Sequence, residues 1–494
     1  MQAGIHHYTE QSILSQGNWV KMRVSESGIC RMTFAELRQA GLNPQQLRVF
    51  GYGGAQLEQD FQKSKIDDLP QVPVYIGDDY VLFWVEGPIK WTYNGTHFAH
   101  TKNTYSNYGY YFLSDNAGEM MPIITSTAIT GNATDIYTYP LYQVHELDTI
   151  NLIDRGGVSG GGRYFYGEQF NNNQKRQFSF STPHAVADEL SSVFVDVAAY
   201  STNTSYFQVN LNGTSNNSVY IAAFNDFHTM GVGGVLRMTG SSNANQQTLE
   251  LTLQSNASGA LGWLNYIEIV TPCSLQMTGS WMPIRSNVNY KTSFPVRFHL
   301  RGASSNVQIW DVTEKAAITR MPTTTQGDYL QWVGTQADGV REYVAVDPQR
   351  NGRWVQAQVI GKVENQNLHA LRNIDYIIIC ADGYQTIAER LARAHEEKES
   401  ITWAVVTEEQ VFNEFSSGTP DATAYRWLMK MLYDRADDVN AKPRWLLLMG
   451  HGSFDNRKLL PYSGARVLLT YQSANSLNEP SAYATDDYFG FLDD

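Results

Sequence analysis

Through the first 365 or so residues, apolar positions come in short runs that alternate with polar ones. N-W-V-K-M-R-V (18–24), V-P-V-Y-I (72–76) and Y-V-L-F-W-V (80–85) are aromatic or β-branched and bounded by Gly, Asp or Asn, which predicts strands. Between about 177 and 271 the spacing is regular, with F-S-F, S-V-F-V-D-V-A-A-Y, Y-F-Q-V-N-L-N-G, S-V-Y-I-A-A-F, T-L-E-L-T-L and L-N-Y-I-E-I-V separated by turn residues. In S-V-F-V-D-V and T-L-E-L-T-L every second residue is apolar, as a sheet with one wet face requires. A β-sandwich or jelly roll of ~100 residues is the natural reading. F-P-V-R-F-H-L (294–300) and V-Q-I-W-D-V-T (307–313) continue the β pattern.

After about 365 the period changes. D-Y-I-I-I-C (375–380) is a continuous apolar run, expected of a strand covered on both faces. Residues 384–399 place Ile387, Leu391 and Ala394 on one side and charges on the other, an amphipathic helix. I-T-W-A-V-V (401–406) reads as the next strand, 423–439 as a helix with Trp427, Leu428, Met431 and Leu432 at helical spacing, and W-L-L-L-M (445–449), just after Pro443, as a third strand. This is β-α-β-α-β, the start of a doubly wound parallel sheet. The expected division is a β domain at 1–145, a jelly-roll-like sandwich at 146–285, a third β-rich segment at 286–365 and an incomplete α/β unit at 366–494.

Composition narrows the class. Charged residues are only 17% of the chain and aromatics 12%, a mix that suits sheets. The net charge of −13, with no long basic run, argues against a nucleic-acid partner. Cys30, Cys273 and Cys380 are far apart and odd in number, so they form neither a disulfide framework nor a metal motif. No apolar run reaches the ~18 residues of a membrane-spanning helix. The N-terminus lacks the basic and apolar regions of a signal peptide. The ending F-G-F-L-D-D, straight after a turn-rich stretch, suggests a piece of a longer chain.

The stretch that invites a chemical claim is W-L-L-L-M-G-H-G-S-F-D-N (445–456). His451, between Gly450 and Gly452 at a strand's carboxyl end, suits a general base. It also suits a plain strand-end residue whose glycines permit a tight turn. A dyad needs a nucleophile within reach, and Cys380 is the sole cysteine of the α/β unit at 366–494. At the end of an apolar strand, however, a cysteine usually behaves as a small hydrophobe. Asp455 and Asn456 could shape a site's rim or simply form a turn. The loop R-G-G-V-S-G-G-G-R (155–163) lacks G-K-[ST] and opens no helix, so it reads as a flexible connector rather than a phosphate cradle. The tyrosines of 105–111 could stack on sugars, but alternation along a strand favours cross-strand packing. E-E-K-E at 396–399 reads as a solvated helix end.

R-V-F-G-Y-G-G (48–54), D-D-Y-V-L-F-W-V-E-G-P-I-K-W (78–91), N-T-Y-S-N-Y-G-Y-Y-F-L (103–113), G-R-Y-F-Y-G-E (162–168), F-H-L-R-G-A-S (298–304), W-D-V-T (310–313) and T-D-D-Y-F-G-F-L-D-D (485–494) follow one another along the chain. Together they resemble the N-terminal half of the gingipain-like cysteine peptidases of the type IX secretion system. The resemblance implies a multidomain fold: a β-rich front of sandwich or jelly-roll domains, then the first half of a caspase/gingipain-like parallel sheet. It implies an exported parent at the outer membrane or cell surface. That parent is a cysteine endopeptidase and sortase that removes the C-terminal signal domain of secreted cargo and joins the cargo to anionic lipopolysaccharide. Its implied partners are that cargo, lipopolysaccharide and a PorV-like outer-membrane β-barrel, and no cofactor.

In that family the catalytic His stands in a later Gly-His-Gly and the catalytic Cys further on. Both would follow Asp494, leaving this chain inactive alone. His451 departs from the family's pattern and falls near the active-site rim with Gly450 and Asp455. By position, Asp486, with Asp487 beside it, matches the acid that receives a substrate's cationic side chain; a partly buried carboxylate pair would do so through charge-assisted hydrogen bonds. The same acids, with those at 493–494, could instead shape a turn or supply the hard oxygens calcium takes. Two rival readings remain: a non-catalytic module binding a carbohydrate or a protein partner through the sandwich, and a degenerate relative without catalytic residues.

Overall fold

The computed structural model describes residues 7–63, 66–154, 160–288, 294–335, 340–461 and 467–493. The front of the chain is built of strands, as the alternation requires. One five-stranded sheet runs in the order Gln358–Val363, Trp19–Val24, Gly109–Ser114, Arg48–Phe50 and Gln71–Val72. The strand Gln358–Val363 thus crosses back from the far end of the β region to close the first sheet. Core continuity agrees with the pairing, since Val20, Met22, Leu82 and Phe83 pack in one cluster with Trp310, Val344 and Val346. Among the described residues one α-helix interrupts these strands: α1 (Phe34–Gln39) opens at a reciprocal capping box between Thr33 and Glu36, a device that stabilises even a short helix. Two further sheets, drawn from residues 124–136 and 281–346, enclose Phe298, Trp332 and Tyr343.

The hairpin β1 (Ile89–Tyr93) and β2 (Phe98–Lys102) reaches out to the sandwich, where Trp91 and Phe98 each lie 4.6 Å from the Tyr142 ring. The sandwich has two sheets. In the first, β3 (Thr138–Glu146), β4 (Leu190–Tyr200), β5 (Val232–Ser241) and β6 (Leu261–Ser274) are ordered β3-β6-β4-β5. The second is Lys175–Ser181, Gln246–Ser255, Ser205–Leu211 and Ser215–Ile221. Val193, Val195 and Val197 of one sheet meet Phe207, Val209, Leu249 and Leu251 of the other. These are the alternate apolar positions, each contributing roughly 1.5–3 kcal/mol when fully buried.

The C-terminal unit is a parallel sheet of β7 (Tyr376–Cys380), β8 (Trp403–Thr407) and β9 (Trp445–Met449) in the order β8-β7-β9. The helix α2 (Gln385–Glu399) covers one face; α3 (Glu408–Phe415) and α4 (Thr423–Asp434) cover the other. β7 lies in the middle and is wholly buried, as its unbroken apolar run demands.

Four local expectations need correction. On α2 the inward residues are Ala388, Leu391 and Ala392, while Ile387 is 52% exposed and Ala394 faces out; the two alanines have the small side chains that let a helix sit close on a sheet. The helix begun at 423 ends at Asp434 rather than 439, and a separate 3-10 turn, Val439–Ala441, starts at an Asp438 cap. α3 was not expected, although the Thr407–Gln410 capping box marks it. Finally, residues 155–159 of the glycine-rich loop lie outside the described residues, but Gly160–Gly162 are packed, not slack. A Cβ would stand 2.1 Å from Phe454 at Gly160 and 2.0 Å from the Asn475 carbonyl at Gly162.

Candidate functional site

Parallel pairing aligns the carboxyl ends of the three strands, with Cys380 opposite both Thr407 and Met449. In sheets of this kind ligands bind in the crevice beyond those ends. Gly450-His451-Gly452 emerges there, followed by a turn held by Asp455 and Asn456. The Asp455 carboxylate is buried and accepts from the Leu460 N–H at 2.7 Å. Asn456 exchanges two hydrogen bonds with the backbone of Thr470, at 2.9 and 3.1 Å. Both residues therefore organise the loop.

His451 is exposed, and among the described residues its ring makes a single hydrogen bond, Nδ1 to its neighbour Gly452's carbonyl at 3.4 Å. Its own carbonyl accepts from Val467 and Leu468 at 2.9 and 3.1 Å. The flanking glycines have a packing reason. A Cβ at Gly452 would lie 1.9 Å from Thr470 Cγ2, and one at Gly450 2.9 Å from Val467 Cγ1, because the chain at 467–470 returns against them. Cys380 is fully buried against Ala388, Ala392 and Met449 on the α2 side. Burial, then the charges of Asp382 and Glu389, push its thiol up from the ordinary value, the opposite of what an attacking thiolate needs. No hydrogen bond joins His451 to Cys380 among the described residues.

The segment 485–493 is held by its aromatics and displays its acids. Tyr488 stacks on Tyr471 at 3.7 Å and bonds the Thr423 hydroxyl at 3.1 Å, while Phe489 packs on Tyr425. Arg426 Nε donates to the Phe491 carbonyl at 2.8 Å. Asp486 and Asp487 sit at the 3-10 turn Asp487–Gly490. Both are exposed rather than partly buried, and neither forms an ion pair among the described residues. Asp493 accepts from the Tyr433 hydroxyl at 3.0 Å, and residue 494 lies outside the described residues. Among the described residues no three His, Cys, Asp or Glu side chains converge as metal ligands. No helix among them is long and apolar enough to cross a membrane. Of the tyrosines at 105–111, Tyr105 and Tyr111 are buried in packing.

Charged clusters at the junctions between units escaped the sequence reading. His100, on β2, is held between Glu268 (Nδ1, 2.7 Å) and Glu146 (Nε2, 2.9 Å) of the sandwich. Burial alone would lower its pKa, but the two carboxylates override that and raise it to about 9. His369 is likewise buried between Glu414 of α3 (2.6 Å) and Asp67 (3.2 Å), and is raised to about 9 against its burial. Asp148 of the sandwich end binds Lys102 and, at 2.8 Å, Arg457. Residues more than 40 positions apart supply each cluster, so no local motif could reveal them.

Residues 369–494, which carry the parallel sheet and its helices, match the family model of Peptidase family C25. Among solved structures, dimeric latent PorU from Porphyromonas gingivalis is similar at 31% identity and a TM-score of 0.85, with 98% of this chain matched to 47% of that one. The chain is thus PorU-like along its length and spans less than half of that protein. A family 35 carbohydrate binding module from an environmental isolate overlaps 28% of this chain and 98% of its own, at 10% identity and a TM-score of 0.19. A likeness that low bears on neither fold nor ligand. No curated protein matches the sequence.

Proposed function

We propose that the chain is the N-terminal part of a cell-surface, gingipain-like cysteine peptidase. In this reading the whole protein removes the C-terminal signal domain from type IX secreted cargo and attaches the cargo to anionic lipopolysaccharide. The chemistry is acyl transfer: a thiolate attacks the scissile carbonyl, the leaving amine departs with a proton, and water or an amine resolves the acyl-enzyme. The nucleophile and its base come from outside this chain, and a PorV-like barrel serves as anchor. The observation that carries the reading is the Peptidase family C25 match falling on the doubly wound sheet, within a chain that is PorU-like throughout.

The role of this chain is to build half of the crevice and to present Asp486 and Asp487 beside it. Their exposed carboxylates suit a guanidinium or ammonium on the substrate. In the full-length enzyme, Asp486→Asn should raise KM for a substrate with a basic residue before the cut by roughly tenfold or more, the worth of a charge-assisted hydrogen bond. It should leave kcat near the wild-type value. Unchanged KM would remove Asp486 from substrate recognition.

One observation favours a second reading, a carbohydrate-binding sandwich. The outward face of its second sheet pairs Tyr206 with Tyr220, the latter 73% exposed, beside Gln208, Ser218, Asn210, Asn216 and Thr252. Such a face offers rings for stacking and neutral groups for hydroxyls. Tyr220→Ala should then abolish retention of the chain on a glycan array, and an array without any signal would dismiss this reading.

A further inference from the structure

Between the β1–β2 hairpin, the sandwich and the segment 474–477 lies a cavity of about 1090 Å³ that the peptidase reading leaves unused. One wall is the outer face of the sheet β3-β6-β4-β5. There the pairing of β4 with β6 passes from Asp196↔Tyr266 to Val197↔Leu264, so Asn265 is one residue in excess. A bulge of this kind re-aims side chains, and here it sets the Asn265 amide against the Asp196 carboxyl. On the other flank β5 sets Val235 opposite Asp196, and the diagonal neighbour on the same face, opposite Ala198, is Gly233, which adds no side chain there.

Asp196 has no cationic partner among the described residues. Burial, with the charge of Glu146 added, pushes its carboxyl up to about 6 against the Asn265 hydrogen bond. Tyr164, Tyr166 and Tyr266 line the same cavity, and the hydroxyls of the last two feel the Asp196 charge. Most of the cavity's cations are held by other groups, Lys63 by Glu58 at 2.9 Å, while Arg163 keeps Nε and Nη1 buried without a hydrogen-bond partner among the described residues. Lys102 and Arg457 bind Asp148, His100 binds Glu146 and Glu268, and the Arg163 guanidinium lies 5.6 Å from the Tyr471 ring. Lys90 stands exposed on the hairpin wall. A sheltered carboxylate without a counter-charge is unfavourable until a cation reaches it, and tyrosine faces attract the same kind of group.

We propose that this cavity binds an organic ammonium group, from a free primary amine or from a lysine side chain of a polypeptide, on the Asp196 carboxylate among the rings of Tyr164, Tyr166 and Tyr266. An arriving cation favours ionised Asp196, so below pH 6 binding expels the carboxyl proton. Affinity rises with pH up to that point and is level above it.

The test is calorimetric titration of the whole chain with cadaverine and, separately, with the peptide acetyl-Gly-Lys-Gly-amide and its ε-acetylated form. Saturable binding of either amine, absent for the acetylated peptide and weakened at least about tenfold by Asp196→Asn, supports the site. Saturation by cadaverine alone marks a free-amine ligand, and by the peptide alone a polypeptide. Wild-type chain should release protons on binding at pH 5 and none at pH 8, read from buffers of different ionisation enthalpy. This readout decides the matter even if Asp196→Asn fails to fold. No saturable binding, equal binding by a folded Asp196→Asn variant, or no proton release at pH 5 would overturn the proposal.

Discussion

His100 and His369 are each clamped by two carboxylates belonging to different parts of the chain. A neutral imidazole can donate from one nitrogen only, so both clamps require the imidazolium. Their folded pKa of about 9 exceeds the ordinary 6.5. Stabilisation from a raised pKa is complete below the unfolded value and vanishes as pH passes the folded one. Each histidine therefore contributes on the order of 3 kcal/mol at pH 6 that is gone above pH 9. Urea midpoints should fall steadily between pH 6.5 and 9.5, and His369→Gln should flatten that fall while lowering the pH 6 value. A midpoint independent of pH across that window would show that the clamps hold neutral rings. By contrast Cys380 and His451, for which the sequence offered both a chemical and a plain structural reading, lie one in a helix–sheet core and the other in solvent.

At the scale of elements, the parallel sheet was legible because burial on both faces leaves an unmistakable signal in Tyr376–Cys380, and the sandwich because alternation is strict in Leu190–Tyr200. The orientation of α2 was not. Its buried face is made of alanines, which carry little hydrophobic contrast, so periodicity pointed to Ile387 instead of Ala388. Gly450 and Gly452 show the same limit: their neighbours in sequence suggest a catalytic turn, but their cause lies some twenty residues on, at Val467 and Thr470. A Cβ at Gly452 meets a β-branched side chain that has few rotamers in which to retreat. Gly452→Ala should therefore destabilise the chain by about 1–3 kcal/mol, as overpacking does, and Thr470→Ala in the same chain should restore most of the loss. Thermal denaturation of the two variants measures this, and an additive double variant would place the strain elsewhere.

For the whole molecule, long-range closure is what the sequence concealed. Gln358–Val363 completes a sheet begun at Trp19, and the chain beyond β9 ties back to the sandwich, where Asn478 bridges Thr229 and Leu477 accepts from Met230 at 2.8 Å. These contacts join the crevice-bearing sheet to the β-rich front through the same segment that later displays Asp486 and Asp487. Under the proposed function the chain is a scaffold and half a crevice for peptidase chemistry whose thiolate comes from elsewhere. The measurement that bears on it most directly is reaction of the chain, residues 1–494, with a thiol-directed peptidyl probe carrying a basic residue, read by intact mass and by turnover of the matching substrate. The account predicts no adduct on Cys30, Cys273 or Cys380 in the folded state, and no turnover. Stoichiometric labelling of Cys380, with turnover that His451→Ala abolishes, would contradict it.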